Sequence, residues 1–359
     1  MSSSVPLLLP TLLAMGVHAT DLQGPEVVGA EELSARAQAL AGSGDPELVE
    51  GSLQLDLGLT GFPLWVAPAE ILTFEVVIDL GLLGGAGVGS VILSSGVQRY
   101  VSGLEVHTEA VSPVRWVGLL RSAAEGRYLG YDLDHELTTR FNPQTWPMLI
   151  HRDVQAGTEN RRRELMIGTR GGESFSTYRY DGHCWTCERR EHFVEPTLPW
   201  RSDFHCKMCK RAGHRVWREL RERAVPPGSV DMLAAVWIAR AFVREGGPTT
   251  GFTMVDKDRL WNVTLVRGET EVVRTPAGHF ECTEVLLRSE VPEGEESREF
   301  AGLFGIRGEL HIWVHCITGV PVLIRGRVPV GNLFDLGVRV QLERALGTPA
   351  AFEPVESTR

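Results

Sequence analysis

The chain has 359 residues, 43% apolar and 23% charged, with a formal net charge of −10. This composition suits a folded protein with a large core, built as one large or two medium domains, and excludes a disordered chain. The net acidity argues against a general nucleic-acid binder, and after the N-terminus there is no apolar run of about 18 residues to cross a membrane as a helix.

Residues 5–17 are apolar and lead into Val17-His18-Ala19. That is the pattern of a secretory h-region and cleavage site, so residues 1–19 are read as a signal peptide. Met1-Ser2-Ser3-Ser4 departs from the pattern, because it carries no Lys or Arg. Export, most simply to the periplasm, is the expectation, and the alternative is a buried N-terminal element in a cytoplasmic protein. Residues 20–50 form a Glu/Ala/Gly-rich lead-in with a short helix expected over 30–40.

Strands are expected through 51–180, a first β-rich half. Leu53, Leu55 and Leu57 alternate with polar or small residues, and short apolar runs follow at 71–80, 88–93 and 114–120. Further strands are expected at 128–137, 148–152, 161–167 and 174–180. Gly81, Gly84, Gly85, Gly87 and Gly89 crowd one turn. A phosphate loop there would need a helix to follow, but Val91-Ile92-Leu93 continues as strand, so a hairpin is the reading.

Residues 181–223 hold the sharpest signal. The sequence D-G-H-C-W-T-C-E-R-R-E-H is echoed 22 residues later by D-F-H-C-K-M-C-K-R-A-G-H. Two C-x-x-C pairs separated by 18 residues have the spacing of a closed structural zinc site with Cys184, Cys187, Cys206 and Cys209 as ligands. The repeated His183, His192, His205 and His214 offer a second ion or a mixed site. Disulfides or a redox pair are the rival reading. Ten Lys/Arg stand against seven Asp/Glu in this segment, which favours thiolates and leaves −13 on the rest of the chain. A charged helix is expected over 213–223, halted by Pro226-Pro227-Gly228.

The clearest helix covers 229–242, with Ser229 as N-cap and Met232, Leu233, Val236, Trp237 and Ala241 as its apolar stripe. Strands return at 260–266, 271–274, 280–289, 309–315, 320–327 and 337–342, in a second β-rich half over 224–346 with a tail over 347–359. His311, Trp313 and His315 share one strand face, but two histidines four residues apart on a strand stand about 13 Å apart, too far for one metal. Cys282 and Cys316 read as small buried apolar groups. No G-x-S-x-G, H-E-x-x-H or Walker pattern is present.

The helix at 229–242, Thr275-Pro276-Ala277-Gly278-His279-Phe280, Leu310-His311-Ile312-Trp313-Val314, Val320-Pro321-Val322 and Val328-Pro329-Val330-Gly331 together resemble the bacterial family Domain of Unknown Function 3108. A looser likeness lies at 72–89. These are packing and turn signatures, and the Cys/His repeat looks like a module inserted between the family's two β-rich halves. The resemblance implies an exported, antiparallel β-rich envelope protein and supplies no functional residues.

The expected fold is mainly β: large curved antiparallel sheets, one packed core helix and a small zinc-binding insertion. The leading functional expectation is a non-enzymatic cell-envelope binding or scaffold protein, with an apolar or lipid-like ligand between sheet and helix or an envelope protein as partner. A zinc-dependent hydrolase using the Cys/His repeat, and a zinc-ribbon interaction module, are the alternatives.

Overall fold

The computed structural model describes residues 53–56, 63–66, 69–79, 84–99, 116–128, 130–141, 148–157, 161–182, 216–295, 300, 302, 305–330 and 334–355. All of them belong to the unit spanning residues 44–359. The lead-in helix expected at 30–40 and the Cys/His repeat lie outside the described residues.

Two short strands, β1 (Leu53–Asp56) and β2 (Pro63–Val66), pair with each other. Eight more form an up-and-down meander: β3 (Ala69–Asp79), β4 (Gly85–Arg99), β5 (Trp116–Tyr128), β6 (Tyr131–Phe141), β7 (Met148–Gly157), β8 (Arg161–Arg170), β9 (Glu173–Gly182) and β10 (Val216–Ala224). One helix, α1 (Met232–Glu245), separates these from a second meander: β11 (Thr249–Asp256), β12 (Arg259–Thr275), β13 (Gly278–Glu290), β14 (Arg307–His315), β15 (Pro321–Val330) and β16 (Phe334–Leu346). The last strand returns to pair with β3, so both meanders belong to one 14-stranded antiparallel sheet with β10 and β11 at its edges. The mainly β fold with a core helix is as expected.

The sheet is curved around the helix. Nine strand steps separate β6 from β11, about 43 Å if flat at about 4.8 Å per step. Yet both strands touch α1, a rod only about 10 Å across. The sheet's ends also approach one another. Met148, Leu165, Ile167 and Tyr178 from β7–β9 form a small core with Val225 and with Val255 of β11. The connector from β10 to α1 runs between the edges: Val225 N–H donates to Ser174 O at 3.0 Å, and Val230 exchanges backbone bonds with Thr253 and Val255 at 3.1 and 2.8 Å.

Three local expectations are corrected. The segment 216–224 is a strand, not part of a charged helix: its Arg, Glu and Leu favour helix, but β9 presents an unpaired edge, and pairing with it wins. Ser229 does not cap the helix. The cap is Asp231, whose Oδ1 accepts from Leu233 N and Ala234 N at 2.8 and 3.2 Å, while the Ser229 hydroxyl donates to Pro226 O. The run 128–137 is not one strand but the hairpin between β5 and β6, turning at Gly130 with φ +78°. The glycine-rich stretch after β3 is a hairpin as expected, with Gly84 at φ +82°.

Candidate binding face

Register fixes which side chains share the inner face, the one that covers α1. One row runs Leu342, Phe74, Val91, Ala124, His135, Gln155, Arg161 across β16 and β3 to β8. The next runs Leu72, Leu93, Ser122, Leu137, Asp153, Arg163, Tyr180, and the third Glu70, Ser95, Leu120, Thr139, His151, Leu165, Tyr178. Read across the strands, the face changes from mostly apolar under the helix to mostly polar over β6–β9.

Under the helix the space is filled. Residues 233–243 of α1 are all buried, and Trp237 is 1% exposed. Phe74, Leu93, Leu120 and Leu137 meet them from the sheet. The helix stripe read from the sequence is therefore packed core, and the Trp237 side chain occupies the place considered for an apolar ligand. Arg240 enters this core to bond Glu70 of β3, one bond of the pair being 3.0 Å long.

Over β6–β9 the side chains form a polar cluster. His135 Nε2 lies 2.9 Å from Asp153 Oδ1, Arg163 donates to Asp153 Oδ2 at 3.4 Å, and Arg161 Nε stands 3.9 Å from Oδ1. Gln155 donates to the Tyr131 hydroxyl at 2.7 Å, and the Tyr178 and Tyr180 rings stack at 6.3 Å. Burial alone would push the Asp153 carboxyl up. The bond from His135 and the charges of Arg161, His135 and Arg163 outweigh it and hold Asp153 well below the usual carboxylate range. Burial pushes the Tyr178 phenol up to about 12. Asp153 is thus an anion and Tyr178 a neutral hydroxyl at physiological pH.

Beside this cluster lies a buried arrangement with the residue types of a hydrolytic triad. The Thr139 hydroxyl donates to Asp231 Oδ1 at 2.9 Å and lies 2.9 Å from His151 Nδ1, and the His151 nitrogen is 3.4 Å from the same carboxylate oxygen. Thr139 is fully buried, Asp231 is 1% exposed and His151 9%. Thr139 donates to Asp231 and is fully buried, so no substrate reaches its oxygen. The group ties the helix N-terminus to β6 and β7. Burial alone would push His151 down, but the charge of Asp231, its hydrogen bond, and the charges of Asp153 and Asp256 together raise it. Asp231 is lowered by the same partnership, against burial.

The zinc ligands read from the sequence, Cys184, Cys187, Cys206 and Cys209, and the accompanying His183, His192, His205 and His214 all lie outside the described residues. The strands that lead into and out of that stretch pair Gly182 with Val216. Cys282 is buried and its thiol is pushed up by burial, as a small apolar core group would be. His311 and Trp313 do share an outer face, stacked at 6.1 Å, where they bond Glu284 and Glu271 instead of one ion.

No family model matches the chain. No curated protein matches it either. Solved structures do. A β-barrel-like protein of Domain of Unknown Function 1849 from Brucella abortus aligns with 78% of this chain and 98% of its own, at 10% identity and a TM-score of 0.41. A protein with a YmcC-like fold from Bacteroides fragilis, described as exported, aligns over 82% and 100% at 11% identity and a TM-score of 0.29. A protein from Parabacteroides distasonis described as a lipoprotein aligns over 78% and 95% at 12% identity and a TM-score of 0.24.

The polar cluster was not found from sequence, because its members are scattered over 50 positions, from Tyr131 to Tyr180, without a motif. The available signal was the interruption of strand alternation by His135, between Leu133 and Leu137 on the same face of β6.

Proposed function

We propose that this chain is a non-enzymatic binding and scaffold protein of the bacterial cell envelope. Its ligand is taken on the inner face over β6–β9, and the inserted Cys/His module is held by a structural zinc on Cys184, Cys187, Cys206 and Cys209. The observation that carries the binding reading is the change of character along one row, from Phe74 and Val91 to His135, Gln155 and Arg161. Over β6–β9 the face offers directed donors and acceptors, the polar part of a small-molecule site, while Phe74 and Val91 are covered by the helix. The ligand's polar head is held at His135, Asp153 and Arg163. The exported location rests on the apolar run at 5–17. Among the described residues no helix is long and apolar enough to cross a membrane.

Against a hydrolase stands the full burial of Thr139, which no substrate reaches. Four thiolates on zinc would leave no open position for water.

The test is native mass spectrometry of protein purified from its host, compared with a Tyr131→Ala/Gln155→Ala variant. A co-purifying small molecule, lost in the variant, is the expected result. Absence of any bound molecule from the native protein would leave a scaffold role alone.

A further inference from the structure

On the outer face of the first meander, register places Arg121 of β5, Thr138 of β6, Arg152 of β7, Glu164 of β8 and Arg179 of β9 in one row. Arg140, two residues beyond Thr138 on the same face, is opposite Leu119 and Ile150. It therefore lies diagonal to both Arg121 and Arg152, a separation that long side chains span. Three arginine positions thus surround Thr138.

The carboxylates of this group are already engaged. Glu136 is held by Arg121 at 2.9 Å and by the Thr138 hydroxyl at 3.2 Å. Glu164 is clamped between Arg152, at 2.7 Å, and Arg179. Neither is bonded by Arg140, whose Nη1 is buried without a hydrogen-bond partner. Four cations (Arg121, Arg140, Arg152, Arg179) share this face with the bonded anions Glu136 and Glu164, and register places Glu219 of β10 opposite Arg179. Glu125 and Asp134 stand on the same face two rows further along. Burial and the like charge of Arg152 hold Arg140 below the usual arginine range, against the pull of Glu136 and Glu164. A buried donor without an acceptor, among like charges, is a group arranged for an anion.

We propose that Arg140, with Arg121 and Arg152, forms a binding site for a phosphate group, free or as a monoester. Guanidiniums from three neighbouring positions match an anion with several exposed oxygens, where a carboxylate offers only two. The site is on the opposite face of the sheet from the proposed ligand face and stands independently of it.

Calorimetry at low ionic strength tests this, with inorganic phosphate and dihexanoyl phosphatidate as probes and sodium chloride at equal ionic strength as reference. Saturable binding of phosphate is expected. Arg140→Gln should weaken it roughly tenfold or more, the size of a charge-assisted bond. Arg274→Gln, an equal loss of charge at an exposed position of β12, should leave it unchanged. Circular dichroism checks folding, and if Arg140→Gln does not fold, Arg152→Gln takes its place. Equal affinity for both probes assigns the site to the phosphate itself, and tighter phosphatidate binding assigns it to an ester whose apolar part is also held. No binding of either probe, or the same loss in Arg274→Gln as in Arg140→Gln, overturns the proposal.

Discussion

Arg240 of α1 and Glu70 of β3 form a doubly bonded ion pair inside the core, 170 residues apart in sequence and exposed by only 2% and 1%. The guanidinium also lies 5.7 Å from the Trp237 ring. A charge so placed is tolerated only with its partner, so Glu70→Ala should destabilise the protein by about 3–5 kcal/mol. Glu70→Leu combined with Arg240→Met should recover most of that. Urea midpoints measure both. The exposed pair Arg288–Glu309, with side chains 51% and 53% accessible, is the comparison, expected to contribute about 0–1 kcal/mol. A Glu70→Ala loss in that lower range would contradict the reading.

The bond between Asp231 and His151 makes stability depend on pH in two directions. His151 is raised on folding, so its contribution is complete below about pH 6.5 and is lost as pH rises through the higher folded value. Asp231 is lowered, so its contribution is complete above about pH 4 and is lost as pH falls through its folded value. Wild type minus His151→Leu, measured by urea unfolding across pH, should therefore peak between about 4 and 6.5. A difference that grows with rising pH would mean that His151 is neutral in the native protein.

Trp237 is packed on all sides, yet its indole nitrogen has no hydrogen-bond partner. Trp237→Ala should cost about 3–5 kcal/mol in cavity and lost burial. Trp237→Phe should cost clearly less, because no hydrogen bond disappears with the nitrogen. Thermal melts of the two variants decide this, and equal losses would point to a bonded water at the indole.

The purified protein should carry about one zinc per chain, as four thiolates in one tetrahedral site require. Cys184→Ser with Cys206→Ser should lose the metal and open the segment 183–215 to protease while circular dichroism keeps its β signal. Two zincs would make His183, His192, His205 and His214 ligands. Four oxidised thiols and no metal would replace zinc with disulfides.

Much of the fold was legible locally. The alternation of Leu53 and Leu55 marked β1, apolar stretches between turn residues marked β3, β7, β8, β9 and β13, and the stripe through Leu233, Val236 and Trp237 marked the helix, because burial of an element leaves its pattern in the sequence. The glycines around Gly84 and the turn before Gly278 marked hairpins, because positive φ there, +82° and +137°, selects glycine. The strand β10 was not legible. Val216 to Ala224 has helix-favouring residues, and only the open edge of β9, set by the rest of the sheet, makes it a strand.

Sequence by itself determined a mainly β chain with a single strong helix and the paired C-x-x-C spacing, since these depend on residues near one another along the chain. Tertiary structure decided the rest: that β16 returns to β3, that the helix fills the sheet it was expected to share with a ligand, and that His135, Asp153 and Arg163 meet. Each depends on strand register across the sheet, where one residue of slip would turn His135 and Arg140 to opposite faces from those they occupy. Such an arrangement is set by the sum of many pairings and by no single segment.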